Sequence, residues 1–260
     1  MLRYALVAVL AACLSCGAAD HPIRVASLNL DTKSGSELIV KLSSEPDLRK
    51  ADILLLQEVV DSPRFHVAEQ AAKAFGMHFV FAKAFTLEGD TDEGLAILSR
   101  HPIGAHRTVP LARNQLHFKN RIRIALLSDI TMPWGRTQVI CIHQDNRINE
   151  EQKIRQLDDL WPAISPKIPA ILGGDFNTGD FYWISHVVPV PQAQHQRKAV
   201  IEDARRHGFT TNLGGGPPTY HIPGQKIDWI FVRNLKPVDS GVTPIHFSDH
   251  NSVWITVQPR

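Results

Sequence analysis

Cysteine is scarce in this chain. Three occur in 260 residues, and Cys13 and Cys16 both fall near the N-terminus. Cys141 is left alone in the body, which excludes an intramolecular disulfide there and any cluster of thiolate metal ligands. It lies in the apolar run QVICIH and reads as a small buried residue rather than a reactive thiol. A dominant charge sign is missing too: 28 basic against 26 acidic residues leave a formal +2. That excludes a strong overall field toward nucleic acid or anionic membrane, so any polyanion site must be local. No internal repeat, low-complexity tract or long linker is present, and the Gly- and Pro-rich LGGGPPTY at 213–220 reads as a loop.

The longest apolar stretch at the N-terminus, Tyr4–Ala12, is too short to span a bilayer. With Arg3 before it and small residues after it, it has the layout of an export leader. LAAC, Leu10–Cys13, resembles a lipoprotein lipobox, which would attach the chain to a membrane through Cys13. GAAD offers the competing reading, simple cleavage after Ala19. The expectation is a leader over 1–19, then one domain over 20–260, exported to the periplasm, the medium or the envelope. With 43% hydrophobic content, that body can bury one large core.

Nine β-rich runs follow: 23–30, 52–60, 78–85, 94–99, 122–130, 138–143, 170–175, 227–232 and 252–257. Helices are expected at 36–50, 64–75, 149–164 and 199–207. Nine strands are too many for one small sheet. The class is α+β or α/β, with two packed sheets flanked by helices.

Polar residues recur at the expected strand ends. Asn29 ends the first strand, Glu58 the second and His143 another; Asp175 and Asn177 end the next, Asp228 opens a later one, and Asp249 with His250 precedes the last. Any one of them reads as an ordinary turn or cap residue. Together they imply a cleft rich in carboxylates, amides and imidazoles at one sheet edge. Such a cleft can hold a cation, set a base near a water and help a leaving oxygen. Oxygen ligands without cysteine suit Mg²⁺ or Mn²⁺.

The motifs RVASLNL, LLLQEV, GLAILSRHPI, ICIH, LGGDFN, PTY with KIDWIFV, and SDHNSV stand in this order from residue 24 to residue 253. In that order they resemble the endonuclease/exonuclease/phosphatase superfamily, which includes pancreatic-type deoxyribonuclease, abasic-site endonucleases, bacterial sphingomyelinases and inositol-polyphosphate phosphatases. The resemblance implies a four-layer αββα sandwich of two mixed sheets, with helices outside and the cleft at one edge. It implies Glu58 as principal metal ligand, with Asn29 and Asp249 nearby, and Asp175 orienting or deprotonating the attacking water. Asn177 would donate to a phosphate oxygen. His250, oriented by Asp228, would donate to the scissile phosphate, and His143, with Glu93 in its partner's place, would serve the leaving group.

Arg121 and Arg123 in NRIRIAL differ by two and would share a strand face, where one could reach the phosphate; a basic edge strand is the plain alternative. The chain departs from the abasic-site branch, having no Tyr between Leu87 and His143. Lys119, Arg121, Arg123, Arg197, Lys198, Arg205 and Arg206 could form a local basic patch. Trp134, Trp161 and Trp183 are candidates for lipid contact, with core or rim packing as the plain reading. Three functions follow from the sequence. The first is an exported metal-dependent phosphodiesterase, nuclease-like, with nucleic acid among its candidate substrates. The second is an envelope phosphoesterase for a lipid or sugar phosphate, and the third a non-catalytic binding module. Whether residues 182–198 are apolar and projecting or basic and grooved separates the first two. No protein partner is implied, and a monomer is expected.

Overall fold

The computed structural model describes residues 22–116 and 121–260; the leader, with Cys13 and Cys16, and Lys119 lie outside the described residues. One sheet is built from β1 (Ile23–Asn29), β2 (Ile53–Ser62), β4 (His78–Thr86), β5 (Asp92–Ser99), β13 (Leu235–Thr243) and β14 (Ser252–Pro259). Its order is β13-β14-β1-β2-β5-β4, with the two-residue β3 (Phe65–His66) paired to β2. The second sheet holds β6 (Ile103–Pro110), β7 (Ile124–Met132), β8 (Gly135–His143), β9 (Ala170–Asp175) and β12 (Asp228–Arg233), in the order β12-β9-β8-β7-β6. A separate hairpin joins β10 (Phe181–Ile184) to β11 (Val188–Pro191). Both sheets are mixed, because β1 runs parallel to β2 and β8 parallel to β9.

The period-2 geometry of a strand sorts the side chains. Ile53 and Leu55 face the core that includes Ile140, Leu172 and Ile230 of the second sheet. Leu54 and Leu56 face the other way, against α1 (Ser36–Ser44), α2 (Pro46–Arg49) and α3 (Val67–Phe75). On the far side, α4 (Glu150–Leu160) contributes Leu157 and Leu160 to the core, and α5 (His195–Arg206) contributes Val200 and Ala204. The result is the expected αββα sandwich. Strands covered on both faces read as unbroken apolar runs, which is why the central ones stood out in sequence.

Several boundaries differ from expectation. The helix expected over 36–50 breaks at Glu45, which Pro46 holds extended (φ −70, ψ 116). The one expected from 64 starts at Val67, because Phe65–His66 pairs with β2. Glu58 does not end its strand; β2 continues to Ser62 beyond it. Arg121 and Arg123 precede β7 rather than sitting in it, and β7 is internal, paired to both β6 and β8.

Candidate active site

The cleft is assembled from strand ends at one sandwich edge, beginning with β1 and β2. Between Leu56 and Val59, β2 bulges, so that Gln57 and Glu58 oppose one residue of β5. Gln57 turns into the core, fully buried, where its amide donates to Ser27 Oγ and the Leu55 carbonyl. Glu58 adopts a left-handed backbone, φ 52, and its side chain keeps 18% exposure. Such a conformation costs a non-glycine residue about 1–3 kcal/mol and persists where surrounding packing over-determines it. Its effect here is to re-aim one carboxylate. Asn29, paired in register with Gln57, ends β1.

Asp175 is set by the two glycines before it. A Cβ on Gly174 would stand 2.0 Å from the Ile142 carbonyl oxygen, and φ there is +147, so a side chain is excluded on both counts. A Cβ on Gly173 would meet Leu55 of the opposite sheet at 2.7 Å. The two glycines therefore let β9 approach both neighbours closely, at the point where register aligns His143 with Asp175 and Asp175 with Asp228. Three strands thus deliver their polar ends in one row.

Within that row Asp175 is almost fully buried. Its Oδ1 accepts from the Asn177 backbone at 2.8 Å, and its Oδ2 accepts from Asn29 Nδ2 at 3.2 Å. The same Oδ2 lies 3.4 Å from His143 Nε2 and 3.9 Å from His250 Nε2. Burial, reinforced by the Asp228 charge, pushes Asp175 up to about 7. Asn177 also has a left-handed backbone, φ 50. Its amide donates one hydrogen to the Gln144 carbonyl at 3.0 Å and retains a second.

His250 Nδ1 contacts Asp228 Oδ2 at 2.9 Å. Burial alone would lower its pKa; the Asp228 charge and hydrogen bond outweigh burial and raise it to about 10. The Asp228 backbone N–H donates to Thr219 Oγ1, and Ser248 Oγ donates to the Asn29 carbonyl while accepting from the His250 N–H. Tyr220 packs its ring 5.0 Å from the His250 ring. Thr219, Tyr220 and Ser248 stood inside the quoted motifs without an expected role.

His143 has different company. Its Nδ1 accepts from Arg123 at 2.9 Å, which assigns the ring proton to Nε2, facing Asp175. Burial first, then the Arg123 charge, hold it well below the ordinary imidazole value. Arg123 also donates to Asp145 Oδ1 at 3.3 Å. Asp145 is a buried hub that accepts from Gln156 and Asn114 as well. Below it, fully buried Lys153 donates to the Asp145 and Phe176 carbonyls, and burial lowers its ammonium to about 7 against the pull of Asp175 and Asp145. Arg121 takes a different direction and grips both oxygens of Glu93, at 3.1 and 3.2 Å. Arg121 thus reaches the cleft through Glu93 and Arg123 through His143, two residues whose polar atoms lie within 4.8 Å of each other.

The residues fit a hard cation. Burial first, then the charges of Asp249, Asp175, Asp31 and Glu58, raise the Tyr220 hydroxyl, so these carboxylates converge on one electronegative cleft. Glu58, Glu93 and His143 each offer a ligand atom within 4.8 Å of the others, and so do Asp175, Asp228 and His250. In the second group a charged His250 has two N–H donors and no lone pair to give. In the first, Glu93 is held by Arg121 and His143 Nδ1 by Arg123, whereas Glu58 binds neither arginine. Asp249 falls in neither group. Its Oδ1 is buried without a hydrogen-bond partner, 3.9 Å from His250 Nε2. The Glu58 carboxylate, bound by neither arginine, is the oxygen ligand of the first group left to a divalent cation.

Of the cations of the expected basic patch, Arg121, Arg123, Arg205 and Arg206 are paired with Glu93, Asp145, Glu202 and Asp203 respectively.

A family model described as the Endonuclease/Exonuclease/phosphatase family matches residues 26–250. Two proteins, from Yersinia pseudotuberculosis and Yersinia pestis, each bearing the name UPF0294 protein, are 28% identical over 218 residues, covering 81% of this chain and 75% of theirs. Among solved structures, an endonuclease/exonuclease/phosphatase from Beutenbergia cavernae superposes with a TM-score of 0.72 at 18% identity, over 92% of this chain and 72% of that one. The human Nocturnin catalytic domain, solved with a bound sulfate anion, gives 0.69 at 17% identity, over 92% and 94%. A humanized D. rerio TDP2 gives 0.61 at 14% identity, over 91% and 99%. At these identities the structural likeness is one of fold.

Proposed function

Because the chain belongs to the endonuclease/exonuclease/phosphatase family, whose members hydrolyse phosphoester bonds, we propose that it is a divalent-cation-dependent phosphodiesterase working by direct attack of water. The observation that carries this reading is the row Asp228, His250 and Asp175, a buried base held beside an imidazolium by strand register. Asp175, raised to about 7, is strong enough near neutrality to take a proton from water and sits where Asn29 and the Asn177 backbone fix its orientation. His250, charged by Asp228, donates Nε2–H to a phosphoryl oxygen. The second hydrogen of the Asn177 amide donates to another. His143 presents a neutral Nε2–H and hydrogen-bonds the leaving oxygen rather than surrendering a full proton to it.

Glu58 would hold the cation, which supplies Lewis-acid stabilisation of the phosphoryl charge. The test is Glu58→Gln with a cation titration. Turnover of a nitrophenyl phosphodiester should vanish at nearly constant side-chain volume while the fold, read by circular dichroism, is kept. Full activity in excess chelator would sink the cation dependence.

A further inference from the structure

The hairpin of β10 and β11 leaves the body four residues after Asn177, beside the cleft. Its register pairs Tyr182 with Val190 and Ile184 with Val188, so these four side chains share one face. All four are exposed, from 39% at Val190 to 52% at Val188, and Val187 at the turn adds another. The other face holds half-buried Phe181 and Trp183; the Trp183 backbone is bonded on both sides to the Asn149 side chain, and Arg147 lies over the indole. The stretch 181–191 has no Lys, Arg, Asp or Glu. An exposed two-stranded ribbon ordinarily carries charge that prevents pairing with other chains. An aliphatic outer face of this kind is a surface built to be covered.

The surroundings indicate the cover. Arg147 lies under the hairpin, and α5, whose first turn carries Arg197 and exposed Lys198, is tied to its root by Gln196, which donates to the Phe181 carbonyl. Burial first, then the charge of nearby Arg197, lowers the Lys226 ammonium to about 8. Gln225 Oε1 lies 2.8 Å from where a Cβ on Gly179 would stand, which brings the 220–225 loop, with Ile222 79% exposed, against the same root. An aliphatic tip collared by cations matches the layering of a bilayer surface, acyl and glycerol regions within and phosphates without. Duplex DNA would need the cations where the aliphatic side chains are. A second copy would bury only this patch, on the order of a few hundred Å², below the ~800 Å² per partner of a stable complex.

We propose that the β10–β11 hairpin docks the protein on a phospholipid surface and presents the cleft to lipid head groups, whose phosphodiester is the bond cleaved. The substrate half rests on the hydrolytic reading above; the docking half does not.

The test compares the full chain carrying Cys13→Ser, so that no lipid on the leader masks the hairpin, with the same chain carrying also Ile184→Asp and Val188→Asp. Each is measured for sedimentation with phosphatidylcholine–phosphatidylglycerol vesicles, for turnover of the vesicle phospholipid, and for turnover of soluble bis(nitrophenyl) phosphate. The charged pair should partition at least tenfold less and lose at least tenfold in vesicle turnover. Turnover of the soluble diester should stay unchanged, which also certifies the fold, and Ile184→Val with Val188→Ile should behave as the parent. Equal partition of parent and charged pair would overturn docking, as would a parent dimer that the charged pair breaks without vesicle binding. Cleavage of DNA without turnover of any phospholipid would overturn the substrate half. A parent inactive on every diester yet bound to vesicles through the hairpin would sink the hydrolytic reading and uphold docking.

Discussion

His143 and His250 approach the same carboxylate oxygen, Asp175 Oδ2, at 3.4 and 3.9 Å, and both are almost fully buried. Burial pushes either ring toward neutrality; what separates them is the group on the other nitrogen. Asp228 accepts from His250 Nδ1 and holds that ring charged, to about 10. Arg123 donates to His143 Nδ1, adds a positive charge behind the ring and holds it neutral. Two imidazoles a few ångströms apart are thereby given different work, one a cation for developing negative charge and the other a neutral hydrogen-bond donor. The protein sets imidazole chemistry one partner away from the reacting atoms.

The largest effect should come from erasing that difference on the His250 side. Asp228→Asn keeps the shape but removes the charge that sustains the imidazolium, so kcat should fall by roughly 10²–10⁴. His250→Ala should cost about as much, and the double substitution little more than either, because the two act as a unit. Steady-state kinetics of the three variants decides the matter; fully multiplicative losses would break the pairing.

Next in size is the pH dependence. Asp175, raised to about 7, is protonated and useless as a base below that value, so kcat/KM should climb with pH through about 7. His250, raised to about 10, is charged below that value and loses its proton above it, so the rate should fall again near 10. His143 should supply no limb between them, since it is already neutral throughout. A higher cation concentration should move the acid limb to lower pH, because added positive charge near Asp175 favours its carboxylate. A profile whose alkaline limb stays put in Asp228→Asn would show that the limb belongs to another group.

How much of this was legible in the chain follows from burial. Strands covered on both faces, such as Ile53–Leu56 and Ala170–Leu172, announced themselves as apolar runs, and the polar residues terminating them marked the cleft. Two of the four edge strands of the packed sheets, β6 and β13, did not. In β6 five consecutive residues, 104–108, are exposed, and β13 carries Pro237 and Gly241, so neither alternates cleanly. The partners of Arg121 and Arg123 could not be read, because both precede β7, which begins at Ile124, and strand alternation says nothing of Glu93 or His143. Lys153 could have been found. It stands with Gln156, Leu157 and Leu160 at the i, i+3, i+4 and i+7 positions of α4, all buried, and a lysine on that stripe needs buried partners.

The smallest effect, and the sharpest test of the comparison, concerns the leaving group. A neutral Nε2–H can stabilise an alkoxide by a hydrogen bond, but giving up its only ring proton would leave an imidazolate, far too basic to form here. His143→Ala should therefore slow an alkyl phosphodiester by roughly ten- to a hundredfold, near the lower end of what a positioned proton donor contributes. A nitrophenyl diester, whose leaving group carries its own charge well, should lose less than about threefold, on the scale of one neutral hydrogen bond that is barely needed. The tautomer can be checked independently by nitrogen NMR: Nε2 should carry the proton and Nδ1 the lone pair, with no titration of the ring between pH 6 and 9. A ring that titrates in that range, together with equal losses on both esters, would place His143 on the phosphate as a second cation and remove the contrast with His250.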